Sequence, residues 1–165
     1  MESVATFGMD FSPSDDPHDL GLCSFSVKPW PSLSTACYLQ IYEIENFAHV
    51  TAQFLLTQNK LHTQYAFNRF ENGFAGGAAE LKFFRREGTV DLCLALITLR
   101  EKEADMPAMV VEGKASMDSF SIFAEGLKAI SAGSAFSAFV DFAVSVPPRR
   151  QSDHSSSLWA RSGPL

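Results

Sequence analysis

The sequence predicts an α+β fold, in which a mainly antiparallel sheet of about six to eight strands carries two amphipathic helices. Several segments alternate apolar and polar side chains, which is typical of half-buried strands. Two other segments repeat apolar residues at helical spacing. Hydrophobic residues make up 46% of the 165-residue chain, so one core can form without a disulfide or metal.

The first half of the chain predicts two strands, a helix and a third strand. The first two strands cover residues 24–30 and 36–44 and are separated by Pro31-Ser32. A helix is expected over 45–58 because apolar side chains recur there on one face. The third strand covers 65–70. The apolar face of the helix consists of Phe47, Val50 and Phe54.

A hairpin is the clearest signal in the second half. It joins residues 81–86 to 89–99 around Glu87-Gly88, where glycine accepts a positive φ at little cost. The second arm is apolar on both faces. This pattern indicates either a central strand covered on both sides or a strand packed in a subunit interface.

A strand, a second helix and a last strand complete the predicted fold. The strands cover 109–115 and 136–146. Between them, Asp118 is expected to cap the start of the helix, and Gly133 is expected to end it. The apolar face of this helix consists of Phe120, Phe123, Ala124, Leu127 and Ile130.

The entrances of the two helices resemble each other at an offset of 73 residues. Ile44 to Phe47 aligns with Met117 to Phe120, and a strand precedes each helix. One interpretation is a strand–helix pseudo-repeat. The other is that any two amphipathic helices align along their apolar faces.

The folded domain is expected to span residues 21–146. Residues 1–20 are rich in Ser, Pro and Asp and are predicted to form a mobile acidic lead-in, with a short edge strand around Phe7 to Phe11 as the alternative. Residues 147–165 follow two prolines and are predicted to be a disordered tail.

Charge and composition exclude several classes of protein. The net charge is −6, of which the folded part carries only −3, and basic residues never cluster beyond a pair, so no nucleic-acid partner is expected. No apolar run approaches the length of a membrane span. The first residues lack the features of a secretion signal, which predicts a cytoplasmic protein with reduced, buried cysteines.

Catalytic and metal-binding motifs are not recognisable in the sequence. Neither a zinc-ligand spacing nor a nucleophile or phosphate-binding motif occurs, so we expect no enzyme activity, no cofactor and no metal. Four histidines lack partners at useful spacing; His62 is expected to interact with the C-terminal end of the first helix. The candidate partner-binding residues are three acids in one loop, for which a merely solvated turn is the alternative: Glu101, Glu103 and Asp105.

Several segments together resemble the WapI-type bacterial immunity proteins and related uncharacterised families. They are the strand YLQIYEI leading into ENFAHVTAQFLL, the hairpin AELKFFRREGTVDLCLALITL, and VVEGKAS leading into MDSFSIFAEGLKAI. The resemblance covers about Ser24 to Ile130 and includes an acid and an aromatic at each helix entrance. It implies a non-enzymatic bacterial protein that binds and neutralises a toxin of its own cell.

Two other functions stay open from the sequence. One is a self-associating structural protein, in which a second copy completes the strands at 91–99 and 136–146 to form a homodimer. The other is a carrier that holds a small apolar molecule between the sheet and its helices.

Overall fold

The computed structural model describes residues 2–15, 20–57, 59–68, 76–85, 91–101 and 108–151. Nine strands and two helices are present in this part of the chain. In chain order they are β1 (Ser3–Pro13), β2 (Leu20–Lys28), β3 (Trp30–Gln40), α1 (Ile41–Leu56), β4 (His62–Phe67), β5 (Ala78–Phe84), β6 (Leu92–Arg100), β7 (Met109–Ser116), α2 (Met117–Ser131), β8 (Ser137–Val144) and β9 (Arg149–Arg150).

All nine strands belong to one sheet, in the order β3-β2-β1-β8-β7-β6-β5-β4, with β9 also paired to β7. Two three-stranded antiparallel meanders, β1 to β3 and β5 to β7, are each followed by a helix and a single strand. That single strand pairs with the other meander: β4 with β5, and β8 with β1. The predicted α+β class with an antiparallel sheet is confirmed, whereas the predicted number of strands is too low.

The first strand corrects the predicted start of the domain. Residues 3–13 are not a lead-in, because β1 lies in the middle of the sheet between β2 and β8. Phe7 and Met9 are fully buried there, and Asp10 points outward. The alternative interpretation, a strand around Phe7 to Phe11, is therefore the correct one, although β1 is longer and is not at an edge; the acidic and proline residues that favoured a lead-in concentrate after Phe11.

The predicted strand break at Pro31-Ser32 is also wrong. β3 runs through both residues, and its pairing with β2 shifts register between Ser26 and Val27. Proline lacks a backbone donor and is tolerated on a strand at the end of a sheet, which is the position of β3.

Both helices begin before their predicted first residue. α1 begins at Ile41 because the Gln40 N–H donates to the Glu43 carboxylate across 3.2 Å, which satisfies one donor at the helix start. The cap of α2 is Ser116 rather than Asp118, since the Ser116 hydroxyl accepts from the Ser119 N–H at 3.1 Å.

The predicted disordered tail begins too early. β8 ends at Val144, before Pro147 and Pro148, and Arg149 and Arg150 then pair with β7 as β9. The remainder of the predicted tail, residues 152–165, lies outside the described residues, as does the predicted turn at Glu87-Gly88.

The sheet curls until β3 meets the residues that precede β5; we call this contact the seam. Cys37 forms a β-bridge with Gly76, and the Gly77 N–H donates to the Ala36 carbonyl at 2.8 Å. Gly76 has a φ of +126°, and a Cβ on Gly77 would lie 1.8 Å from the Thr35 hydroxyl oxygen. The pair Gly76-Gly77 is therefore the place where two backbones approach too closely for side chains.

The helices match each other at an offset of 76 residues rather than 73. At this offset the five buried positions of α1 coincide with the five of α2, and Ile41 aligns with Met117 at the two helix starts. Phe47 and Phe123 are equivalent positions and contact each other with ring centroids 6.0 Å apart. The pseudo-repeat is therefore visible in the burial pattern and topology, one helical turn away from the alignment suggested by the sequence.

The core lies between the helices and the inner face of the sheet, and most of its aromatic rings touch one another. β6 is a central strand with β5 and β7 on either side. Its outward Leu96 is 8% exposed and packs with Phe84 and Val110 in a smaller cluster, so this chain itself covers both faces of β6 there.

Thr51 is a polar residue within this core. It is fully buried on α1, and its hydroxyl has no hydrogen-bond partner among the described residues. The equivalent position on α2 is Leu127, which is also fully buried.

We predict that Thr51→Val raises the free energy of unfolding by about 1 kcal/mol, because it removes an unsatisfied buried hydroxyl and keeps the branched shape. Urea denaturation measures the change. Thr57→Val is the matched control, since Thr57 is exposed at the end of α1 and its substitution should change stability by less than about 0.5 kcal/mol. A loss of stability in Thr51→Val would show that the hydroxyl is satisfied.

Candidate functional site

The sheet has an outer face, opposite the helices, on β3, β2, β1 and β8. Four large apolar side chains are exposed on it: Val4 by 74%, Phe139 by 53%, Tyr38 by 47% and Leu22 by 37%. The other outward side chains of these strands are mostly small or carry hydroxyl groups. Exposed aromatic residues surrounded by small polar ones are typical of protein-binding surfaces.

The strand register explains where these apolar side chains lie. Leu22 is directly opposite Tyr38, so the two form one cross-strand pair. Phe139 is directly opposite Gly8, where a Cβ would lie 3.2 Å from the Phe139 Cδ1 atom. The missing side chain of Gly8 lets the ring of Phe139 lie across β1. About 13 Å of strand separate the position of Leu22 from Ser26, which is opposite Gly8.

Two carboxylates lie on the same outer face. Asp10 Oδ1 accepts from the Ser137 hydroxyl at 2.7 Å, and Asp141 Oδ1 accepts from the Thr6 hydroxyl at 2.5 Å. These bonds link β1 to β8 and orient both acids while leaving the second carboxylate oxygen of each exposed to solvent or a partner. Lys28 is the one basic side chain described on this face, against the two carboxylates of Asp10 and Asp141. The net charge of the described outer face is therefore negative.

Of the three acids predicted from the sequence, the described one, Glu101, lies away from this face. Glu101 is exposed and directly follows β6, whose last carbonyl, that of Arg100, accepts from the Thr35 hydroxyl at 2.8 Å. Glu101 is therefore next to the seam. Glu103 and Asp105 lie outside the described residues.

The C-terminal end of α1 is closed by an arginine from another part of the chain. Arg85, directly after β5, donates through Nη2 to the carbonyls of Phe54 at 2.6 Å and Leu55 at 3.1 Å, and through Nη1 to that of Thr57 at 3.2 Å. Its guanidinium carbon lies 4.6 Å from the centroid of the Phe54 ring. The positive charge thus complements the helix dipole and also covers an aromatic core residue.

The equivalent end of α2 is closed differently. The N–H groups of Ala132, Gly133 and Ser134 donate to carbonyls of the last helical turn, and Gly133 has a φ of +76°. Beside this end lies a cavity of about 230 Å³. Seven of its lining side chains are apolar: Phe11, Pro13, Leu20, Ile41, Ile130, Ala135 and Phe136.

Burial changes the ionisation of several groups inside the fold. Desolvation raises the pKa of the Cys37 thiol to about 12, with the negative charge of Glu43 adding to the effect, and it raises the pKa of Cys23 further. Cys23 and Cys37 are opposite each other on β2 and β3, and neither forms a disulfide. Thiols protonated in this way are poor nucleophiles and poor metal ligands.

Glu43 and His62 are partly buried and shifted toward their neutral forms. Desolvation raises the pKa of Glu43 despite the hydrogen bond from the Gln40 N–H. Desolvation lowers the pKa of His62, and Lys82 and Lys60 lower it further. His62 begins β4 with its ring 4.9 Å from that of Phe84, so the predicted contact of a charged His62 with the end of α1 is wrong; Arg85 occupies that position.

The described ranges contain neither a cluster of metal ligands nor a membrane-spanning helix. No group of three or more His, Cys, Asp or Glu side chains is placed there to bind a metal ion. No helix in them combines the length and the hydrophobicity that crossing a membrane requires. No family model, no curated protein and no solved structure shows a significant match to this chain.

The sequence contained part of the signal for the outer face. The alternation of 136–146 places Asp141 away from the core, and the same alternation in Phe7 to Phe11 does so for Asp10. Their placement on one face depends on the pairing of β1 with β8, which joins residues 127 to 135 positions apart in the chain. No local pattern predicts that pairing.

We predict that Arg85→Met lowers the free energy of unfolding by about 2 kcal/mol, because the carbonyls at the end of α1 lose a charged donor. Urea denaturation monitored by circular dichroism measures the loss. Arg150→Met is the matched control, since Arg150 is exposed on β9 and should change stability by less than about 0.5 kcal/mol. Equal effects of the two substitutions would contradict a capping role for Arg85.

We also predict that His62 makes the protein less stable in mild acid. Its folded pKa lies below its unfolded pKa, so the unfolded chain binds the proton more readily as the pH falls from about 7 to 5. His62→Phe keeps a ring against Phe84 and cannot bind that proton. Unfolding free energies at pH 8 and pH 5 should therefore differ less in the variant than in the wild type. An unchanged difference would contradict the lowered pKa.

Proposed function

We propose that this chain is a binding protein without catalytic activity that acts in the cytoplasm and neutralises a bacterial toxin by covering it with the outer face. The observation that carries the proposal is the exposure of Tyr38, Leu22 and Phe139 on one side of a sheet whose other side holds the core. Aromatic side chains in such positions supply much of the energy of protein–protein binding. The resemblance to WapI-type immunity proteins indicates the kind of partner.

Charge supports a basic partner surface. Asp10 and Asp141 lie on either side of Phe139 along the β1–β8 pair and are held in place by hydroxyl groups, so they lose little freedom when they meet a cation. Complementary charge accelerates encounter and suppresses binding of the wrong partner. The acids predicted from the sequence, Glu101 next to the seam together with Glu103 and Asp105 outside the described residues, remain a second candidate contact under this proposal.

The experiment co-expresses the full chain with the product of a toxin-like gene adjacent to its own and measures growth and the dissociation constant of the purified pair. Wild-type chain should restore growth. Tyr38→Ser and Phe139→Ser should each weaken binding by about 30-fold or more, as expected for central interface residues. Leu56→Ser is the matched control, because Leu56 is 84% exposed on α1, away from the outer face.

Charge variants distinguish the two candidate acidic contacts, which are the pair Asp10 and Asp141 and the acids predicted from the sequence. Asp10→Asn and Asp141→Asn keep an oxygen for the hydroxyl bonds and should slow association at low salt. A combined Glu101→Gln, Glu103→Gln and Asp105→Asn variant should have the smaller effect. Failure to bind at micromolar concentration or to protect growth would refute toxin neutralisation, and wild-type affinity of the Tyr38 and Phe139 variants would refute the outer face as the interface.

The alternative is self-association through the same face, because two sheets can pack face to face across exposed aromatic residues. Sedimentation analysis decides between the two. A concentration-dependent dimer that dissociates in Phe139→Ser would favour a homodimer. A monomer at all concentrations would exclude the homodimer and leave the surface free for another protein.

A further inference from the structure

The two helix ends that the pseudo-repeat makes equivalent differ in what occupies them. At the end of α1 lies Arg85, which directly follows β5, the first strand of the second meander. Its guanidinium group lies over Phe54. At the end of α2, Ile130 takes the position of Phe54. The position of Arg85 is taken by Pro13 and Ser14, at the end of β1, the first strand of the first meander. No described side chain fills the space beside α2 as Arg85 fills the space beside α1. This unfilled space is the cavity of about 230 Å³.

The polar groups at the cavity are already hydrogen-bonded. The carbonyls of Lys128, Ala129 and Ile130 accept from N–H groups of residues 132–135, and the Ser131 hydroxyl donates to the Lys128 carbonyl at 2.8 Å. These three carbonyls are therefore already paired, whereas those of Phe54, Leu55 and Thr57 at the other helix accept from Arg85. None of the described lining residues carries a charge that could attract an anion. An unpaired charge would lose its hydration here without compensation.

The volume of the cavity limits the size of the ligand. An apolar cavity of about 150 Å³ is known to hold one benzene molecule. The cavity beside α2 is about half as large again, which fits two fused rings. It opens to solvent past Phe136, which is 63% exposed, so a molecule can enter without unfolding the core.

We infer that this cavity binds a small neutral molecule of one or two rings, held between Phe11 of β1, Ile41 of α1 and Ile130 of α2. The Ser131 oxygen can still accept one hydrogen bond, which favours a ring system that carries a donor. The site is on the opposite side of the sheet from Tyr38 and Phe139, so it is independent of the proposed function.

The test uses indole as the probe on the full chain, with titration calorimetry and methyl NMR. We expect saturable binding with one indole per chain and nuclear Overhauser contacts from the indole protons to the Ile41 and Ile130 methyl groups. Ala135→Phe fills the cavity and should weaken binding by about tenfold or more. Ala132→Phe adds the same ring at an exposed residue outside the lining and should leave the affinity unchanged.

Charged analogues test the neutrality of the site. Indole-3-carboxylate and tryptamine should each bind at least about tenfold more weakly than indole. The inference is overturned if indole fails to saturate at millimolar concentration, if its contacts fall on other methyl groups, or if both phenylalanine variants weaken it equally. If Ala135→Phe does not fold, the contacts measured on the wild-type chain decide alone. Equal affinity for a charged analogue would overturn the assignment of a neutral ligand.

Discussion

The contact of Phe47 with Phe123 is the interaction on which the rest of the structure depends. Each ring is at the centre of its helix's buried face, and each also touches aromatic residues of the sheet: Phe47 touches Phe67, and Phe123 touches Phe7. A three-stranded meander alone cannot cover a helix on all sides. Packing the two helices against each other leaves the remaining apolar surface facing outward in several directions, and a curled sheet is what covers it.

The exchange of single strands makes this arrangement one cooperative unit. β4 leaves the first half to pair with β5, and β8 leaves the second half to pair with β1. Neither half can therefore bury its helix without hydrogen-bonding to the other. The curl ends at the seam, where Gly76 and Gly77 permit a backbone contact that any side chain would prevent.

Approximate symmetry makes the differences between the halves informative. The halves share their helix burial pattern, yet one helix end is closed by Arg85 and the other by its own backbone turn. The first solution fills the space beside the helix, and the second leaves a cavity. Thr51 and Leu127 differ in the same way, since equivalent buried positions carry a hydroxyl in one half and an aliphatic side chain in the other. The described differences therefore lie at the helix ends and at one buried position, while the two halves share the pattern of buried helix positions.

Local patterns were sufficient for both helices and most strands, because burial of one face imposes a period that can be read along a few residues. They failed for β1, where the acidic and proline residues nearby favoured a lead-in over the alternation. They also failed for the start of α1, where Gln40 and Glu43 form a cap inside a predicted strand. The alternation also assigned Asp141 to the outside of its strand.

Only the tertiary structure decided which of these residues lie together. Asp10 meets Ser137, and Arg85 meets Phe54, through pairings that connect distant parts of the chain. Beside α2, no described side chain from such a distant segment fills the space that Arg85 fills beside α1. The sequence by itself thus determined the class of fold and the two faces of each element. The order of the strands, and with it the outer face, the seam and the cavity, was decided by how two similar halves share their strands to bury one aromatic core.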